Sequence, residues 1–188
     1  MNGDLGMMGS TGIQEQLRRE DGKDTWGRRT AGRREIGRPR ARYLAFRLGN
    51  EEYGLELNQI SELLSWRDIT PLPGAPSVLR GVVDLRGDLL PVIDLRDWLE
   101  EPATEPTEES CILVLEEDGA RLGIVADRAA GILELDPDEI DGTPRQAEAR
   151  DAFLFGTATT RGRERRLLDL NKIGREMSVV MLSGRSHS

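Results

Sequence analysis

An all-β fold, as a barrel or a sandwich, is what this 188-residue chain predicts, and three observations predict it. Short apolar runs recur along the chain with Gly- or Pro-containing breaks about every eight to twelve residues. Within 76–95, the runs Val82-Val83-Asp84-Leu85 and Leu89-Leu90-Pro91-Val92-Ile93 flank Arg86-Gly87-Asp88, which reads as a hairpin. A weaker copy of this stretch follows 75 residues later, where Gly81 matches Gly156, Asp94 matches Asp169 and Leu95 matches Leu170. Upstream, Gly54 and Gly123 lie 69 apart in corresponding strand pairs. We read a diverged duplication of a unit of about 60 residues, the drift in offset marking a small insertion in the second half.

Taken in order, the elements begin near Arg42. Tyr43, Ala45 and Arg47 alternate with Leu44, Phe46 and Leu48 as in a strand, 49–51 is a turn, and 52–57 returns as a second strand. The run 59–66 fits a strand or a helical turn equally. A Pro-rich connection at 70–76 and a short turn or helical piece at 77–80 lead into the hairpin. Pro91 has no N–H to give a ladder and belongs at a strand start or on an edge. Asp97-Trp98-Leu99 ends the first half, and 100–110, rich in Pro, Glu and Thr, is an exposed linker. The second half repeats the scheme, with strands near 111–116 and 121–126, a run at 131–135, an acidic turn at 136–142, and strands near 153–159 and 165–169. A short helix is expected over 171–177, with Asp169 or Asn171 near its cap, and fraying from Ser183.

Composition narrows the function. Residues 1–42 carry 10 Lys+Arg and 6 Asp+Glu, and the remainder carries 16 and 28, so a net charge of +4 precedes a body of −12. Residues 1–40, rich in Gly and Arg, are expected to be a disordered basic tail. An acidic body argues against nucleic acid as a partner. The single cysteine, Cys111, allows no disulfide framework or zinc set within one chain and points to a reducing compartment. No apolar run reaches membrane-spanning length, so membrane insertion is not expected, and the N-terminus lacks an apolar signal core. A cytoplasmic protein is the expectation.

Catalytic chemistry has little to stand on. His187, the only histidine, lies two residues from the end, where nothing holds it beside a nucleophile. There is no phosphate-binding glycine motif. The run 136–142 has a superficial likeness to a calcium loop, but Ile140 falls at a ligand position and Asp141 where glycine belongs. Arg86-Gly87-Asp88 spells a cell-adhesion tripeptide by chance in a chain without an export signal. No spacing marks paired carboxylates for hydrolysis. We expect no enzyme activity, no cofactor and no metal.

One further pattern is specific. The segments 46–57, Ile60-Ser61-Glu62-Leu63, 70–76 and above all 80–96 closely resemble the CheW-type coupling proteins of bacterial chemotaxis, and 123–132 resembles their second half. The resemblance spans 42–182. It implies two five-stranded SH3-like barrels, lobe one at about 43–99 and lobe two at about 111–173, in a domain over 41–182. It also implies a stand-alone, non-catalytic adaptor that links the cytoplasmic tip of a chemoreceptor to the regulatory domain of a chemotaxis histidine kinase, recruited to membrane receptor arrays. The alternative is the same module serving a surface-motility or non-motility array. Glu62 and Arg86 match a family pair that supports receptor binding, and Ile60, Gly81 and Gly87 match positions around the receptor-facing groove. Leu55 and Leu57 are candidates for the kinase-facing surface and equally for the core. Asp84 departs from the family's usual Asn.

Overall fold

The computed structural model describes residues 40–117, 119–142 and 149–183. Of the tail expected to be disordered only Arg40 is described; the rest of it, His187 and the end beyond Ser183 lie outside the described residues. Among the described residues, eleven strands and two α-helices follow in the order β1 (Ala41–Leu48), β2 (Glu51–Glu56), β3 (Ile60–Ser65), β4 (Leu79–Leu85), β5 (Asp88–Ile93), α1 (Arg96–Leu99), β6 (Cys111–Glu117), β7 (Ala120–Ala126), β8 (Arg128–Leu135), β9 (Ile140–Asp141), β10 (Leu154–Thr160), β11 (Arg163–Leu168) and α2 (Leu170–Ser183). The ambiguous run at 59–66 is a strand entered through a 3₁₀ turn at Leu57–Gln59. The acidic turn contains the two-residue strand β9.

The strands form two sheets, in the orders β8-β1-β2-β11-β10-β9 (sheet A) and β3-β6-β7-β5-β4 (sheet B). Each sheet draws strands from both sides of the 100–110 linker, which corrects the expectation of lobes contiguous in sequence. The boundaries 43–99 and 111–173 divide the chain but not the sheets. The exchange occurs through two short parallel pairings, Val92 and Ile93 of β5 with Gly123 and Ile124 of β7, and Leu167 of β11 with Gly54 of β2.

Both sheets curl. In sheet A the chain passes from β8 on one edge to β9 on the other between Leu135 and Ile140. Five residues reach at most about 17 Å, whereas the edges of a flat six-stranded sheet lie about 24 Å apart. Sheet B closes in the same way, since Thr70, five residues past β3, bridges Val82 of β4 through two 2.9 Å hydrogen bonds. Two SH3-like barrels result.

The duplication is visible pair by pair. Leu79 and Gly81 face Ile93 and Val92 across a register shift; 75 residues on, Leu154 and Gly156 face Leu168 and Leu167 across the same shift. Thr70 pairs with Val82 as Asp141 pairs with Thr157, an offset of 71 on one side and 75 on the other. The insertion is therefore placed on either side of β9. Both hairpins turn through Arg-Gly with positive φ at both residues, 59° and 92° at Arg86-Gly87, 53° and 73° at Arg161-Gly162. This is the type I′ geometry whose twist matches the flanking strands.

The main core lies between the sheets, with Leu44, Phe46, Leu48 and Tyr53 of sheet A against Leu63, Leu113, Leu115 and Ile124 of sheet B. Alternate residues fill the barrels: Leu64, Val83, Leu90, Val92, Ile112 and Val114 in B, and Tyr43, Leu135, Ala158 and Leu167 in A. Strands β1 and β6 are thus buried on both faces, which is why 111–115 reads as an unbroken apolar run. Pro91 is neither at a strand start nor on an edge strand. It is tolerated because pairing of β5 with β7 begins only at Val92, so only β4 lies alongside at Pro91.

A Cβ on Gly81, whose φ is +144°, would stand 2.1 Å from the carbonyl oxygen of Thr70, at the closure of sheet B. Gly81→Ala should therefore cost about 2–4 kcal/mol in urea unfolding. Gly142→Ala, with open space around its Cβ, should change stability by less than about 1 kcal/mol. Equal effects of the two would refute the clash.

Candidate functional site

The expected pair forms. Glu62 on β3 and Arg86 at the tip of the β4–β5 hairpin meet at 3.2 Å. They sit across the seam of sheet B, where β3 and β4 close the barrel without a ladder between them. Arg86 is 76% exposed and Glu62 27%. The pair is therefore a surface ion pair worth at most about 1 kcal/mol, and the larger cost of breaking a buried pair does not apply. The turn is held from beneath by Asp84, whose Oδ1 accepts from the Gly87 N–H at 2.8 Å. The Asn usual in the family would offer the same acceptor, so the departure adds a negative charge without changing the turn.

The other residues singled out separate into surface and interior. Gly87 is exposed at the tip, and its positive φ suits glycine. Gly81 is buried, with no space for a side chain against Thr70. Ile60 is 5% exposed and packs in the main core, so it supports the site rather than presenting a contact. Leu55 and Leu57 are corrected: at 0% and 3% exposed both belong to the main core and offer nothing to a kinase. The alternation in 52–57 left the burying face open, and the second sheet packs against theirs.

Two features escaped the sequence reading. Leu89 is 69% exposed and Leu72 42%, the two large apolar side chains most open near this hairpin. With Val83, Leu85, Leu90 and Val92 turned inward, alternation points Val82, Leu89 and Pro91 outward on the same hairpin. That inward set was present in the sequence and marks Leu89 as an outward residue.

The second feature is a polar latch at the hairpin's base. Arg96 pairs with Asp94 at 2.7 Å and with Asp127 at 2.5 Å, and it donates to the Thr104 hydroxyl at 3.0 Å. Asp127 is the single residue between β7 of sheet B and β8 of sheet A. Its other oxygen accepts from the Gly49 N–H at 2.6 Å. Beside it, buried Glu101 accepts from the Tyr53 hydroxyl at 2.8 Å and the Asn50 N–H at 3.0 Å. Burial, then the Glu101 carboxylate, pushes the Tyr53 phenol well above its ordinary range. Two carboxylates, Glu101 in the linker and Asp127 between β7 and β8, thus hold the β1–β2 turn.

None of this makes reaction chemistry. Burial pushes the Cys111 thiol up to about 12, so it stays protonated and is no nucleophile near neutral pH. Among the described residues no three His, Cys, Asp or Glu side chains are grouped to hold a metal ion. No helix among them is long and apolar enough to cross a membrane.

Arg86→Ala should shift the unfolding free energy by less than about 1 kcal/mol, whereas Asp127→Ala, which removes one of the two carboxylates on the Arg96 guanidinium and the acceptor of the Gly49 N–H, should cost about 2–3 kcal/mol. Comparable losses in urea titrations would contradict the contrast in burial. Cys111 should resist a thiol-specific disulfide reagent at pH 8 until the chain is unfolded; prompt labelling of the native protein would show the site to be open.

Comparison with known proteins agrees with this architecture. The CheW-like domain family matches residues 42–177. The chain is 31% identical over 131 residues to a chemotaxis protein CheW of Rhizobium meliloti, covering 69% of this chain and 84% of that one. It is 30% identical over 148 residues to a chemotaxis protein CheW of Klebsiella aerogenes, covering 77% and 89%. The crystal structure of the scaffolding protein TtCheW from Thermoanaerobacter tengcongensis superposes with a TM-score of 0.66 at 25% identity, covering 74% of this chain and 91% of that one. With its two barrels, its hairpin and its matched span in agreement, the chain belongs to the CheW-like domain family.

Proposed function

We propose that this protein is a non-catalytic chemotaxis adaptor that couples the cytoplasmic tip of a chemoreceptor to the regulatory domain of a chemotaxis histidine kinase. The relatives' names support the adaptor role. One observation supports the coupling: a single hairpin carries at its tip exposed Arg86, paired with Glu62 of β3, and along its side exposed Leu89 flanked by half-buried Val82 and Pro91. The Glu62–Arg86 pair with Gly87 is the receptor-facing point. The face of Val82, Leu89 and Pro91 replaces Leu55 and Leu57 as the kinase-facing surface. An exposed Leu beside a proline suits a desolvated contact, whereas a solvated ion pair contributes orientation more than affinity.

An adaptor without chemistry changes a kinase only by binding its states unequally. Two surfaces on one rigid element hold both partners close, and the second contact gains from effective concentration. Recruitment to membrane arrays would follow from the receptor contact and requires no anchor in the described residues.

Pull-downs of the full chain with a kinase regulatory-domain fragment and a receptor-tip fragment test this. Native protein should bind both, Arg86→Ala should weaken the receptor contact about tenfold or more, and Leu89→Asp should do the same to the kinase contact. If the native protein binds neither at high micromolar concentration, the coupling function is lost. If both variants bind both fragments like the native protein, the hairpin is not the docking element.

A further inference from the structure

The duplication that builds the two barrels is incomplete at one place. On β3, Ile60 and Glu62 face Leu115 and Val114 of β6 across a bulge. On β8, Ala129 and Gly131 face Phe46 and Ala45 of β1 across the same bulge. Gly131 therefore occupies in sheet A the position of Glu62 in sheet B. The matching turns place Arg161 where Arg86 stands, with nearly the same backbone angle, φ 53° against 59°. In sheet B a carboxylate closes the seam onto its arginine. In sheet A the arginine is present and the carboxylate is not.

The vacancy has room. A Cβ at Gly131 would meet nothing within 4 Å. Arg161 is exposed and makes no ion pair among the described residues. Nearby on the same hairpin, Arg163 is committed to Glu52 at 3.1 Å, so among the described residues Arg161 is the cation available at the tip. The chain cannot easily supply the acid itself at this position. Gly131 has φ +129°, where an L side chain is strained.

We propose that the Gly131–Arg161 seam is a docking point for a protein partner, and that a carboxylate side chain of that partner takes the place that Glu62 fills in the other barrel. The surroundings favour an acid. The body beyond residue 42 carries a net charge of −12, whereas this hairpin carries Arg161, Arg163, Arg165 and Arg166 against the single acid Glu164. A Glu on a turn or strand fits best, because it can reach the guanidinium while its backbone lies along the open seam. The site itself rests on the duplicated register and on charge, and only the identity of the partner rests on the adaptor reading.

The test has two arms that fail separately. In the first, the ¹⁵N-labelled full chain is titrated at low salt with a capped Gly-Glu-Glu-Gly peptide. The expected result is millimolar binding with amide shifts centred on Gly131, Arg161 and Gly162, at least tenfold weaker in Arg161→Asn and unchanged in Arg86→Ala. Asparagine tolerates positive φ, so the turn survives the first substitution. Shifts centred elsewhere, or undiminished in Arg161→Asn, overturn the site. In the second arm, Arg161→Glu is compared with the native chain for binding the kinase and receptor fragments. A tenfold loss for one fragment supports the proposal, and native binding of both overturns its role in partner recognition. Native protein that binds neither fragment sinks the adaptor reading, and the peptide titration then decides the site alone.

Discussion

The two sheets depend on two parallel pairings made at glycine, where a neighbouring side chain lies over the backbone. Gly123 of β7 lies against Val92 of β5, and Gly54 of β2 lies against Leu167 of β11. A Cβ at Gly123 would stand 2.8 Å from Ile112 and 3.1 Å from Val92; one at Gly54 would stand 2.7 Å from Leu167. These two contacts join the β4–β5 hairpin to strands of the second half and the β10–β11 hairpin to strands of the first. Neither half can complete a sheet by itself, because the strands between its own edge elements come from the other. The barrels must therefore form together, and a surface on either one inherits the stability of the whole.

The same duplicated scaffold carries two different chemistries. Position for position, Leu90 in the interior of barrel B corresponds to Arg165 in barrel A. Arg165 is 9% exposed, paired with Glu52 at 3.0 Å and hydrogen-bonded to the Thr160 hydroxyl. On the outer face, Leu89 and Pro91 correspond to Glu164 and Arg166, the latter paired with Glu51 at 3.0 Å. Barrel B thus offers an apolar outer face over an apolar interior, and barrel A a charged face over a partly ionic one. Hydrophobic area drives association with little directional preference, whereas ion pairs select and orient. A module with one face of each kind has a physical basis for telling two partners apart.

Much of this was legible from local signals. The hairpin, its Arg-Gly turn, the repeat at offsets of 69 and 75, and the helix start were readable because each is set by residues close in sequence. Asp169 caps that helix, accepting from the N–H groups of Asn171 and Lys172 at 3.0 and 3.3 Å. The exchange of strands between halves was not readable, because each parallel pairing involves two residue pairs and leaves no periodic trace. The burial of Leu55 and Leu57 was ambiguous for the same reason, since alternation gives two faces and only the packing of sheets decides which is covered. Asp127 and Glu101 gave no signal, because a carboxylate beside a turn in an acidic chain looks like any solvated surface group.

The latch those two residues build suits the hairpin to the docking role proposed for it. Its tip is fixed by the type I′ turn, by Asp84 under Gly87 and by Glu62 across the seam. Its base is fixed by Asp94 and Arg96, which tie it through Asp127 to the β1–β2 turn of the other sheet. Unlike the exposed pair at the tip, the groups at the base are largely buried and strongly bonded, so they resist salt and fluctuation. An element held at both ends loses little conformational freedom when a partner binds, and more of the contact free energy appears as affinity. In an adaptor, whose only output is differential binding, that rigidity is itself the mechanism. It lets a weak, solvated ion pair and a small apolar face act from fixed positions.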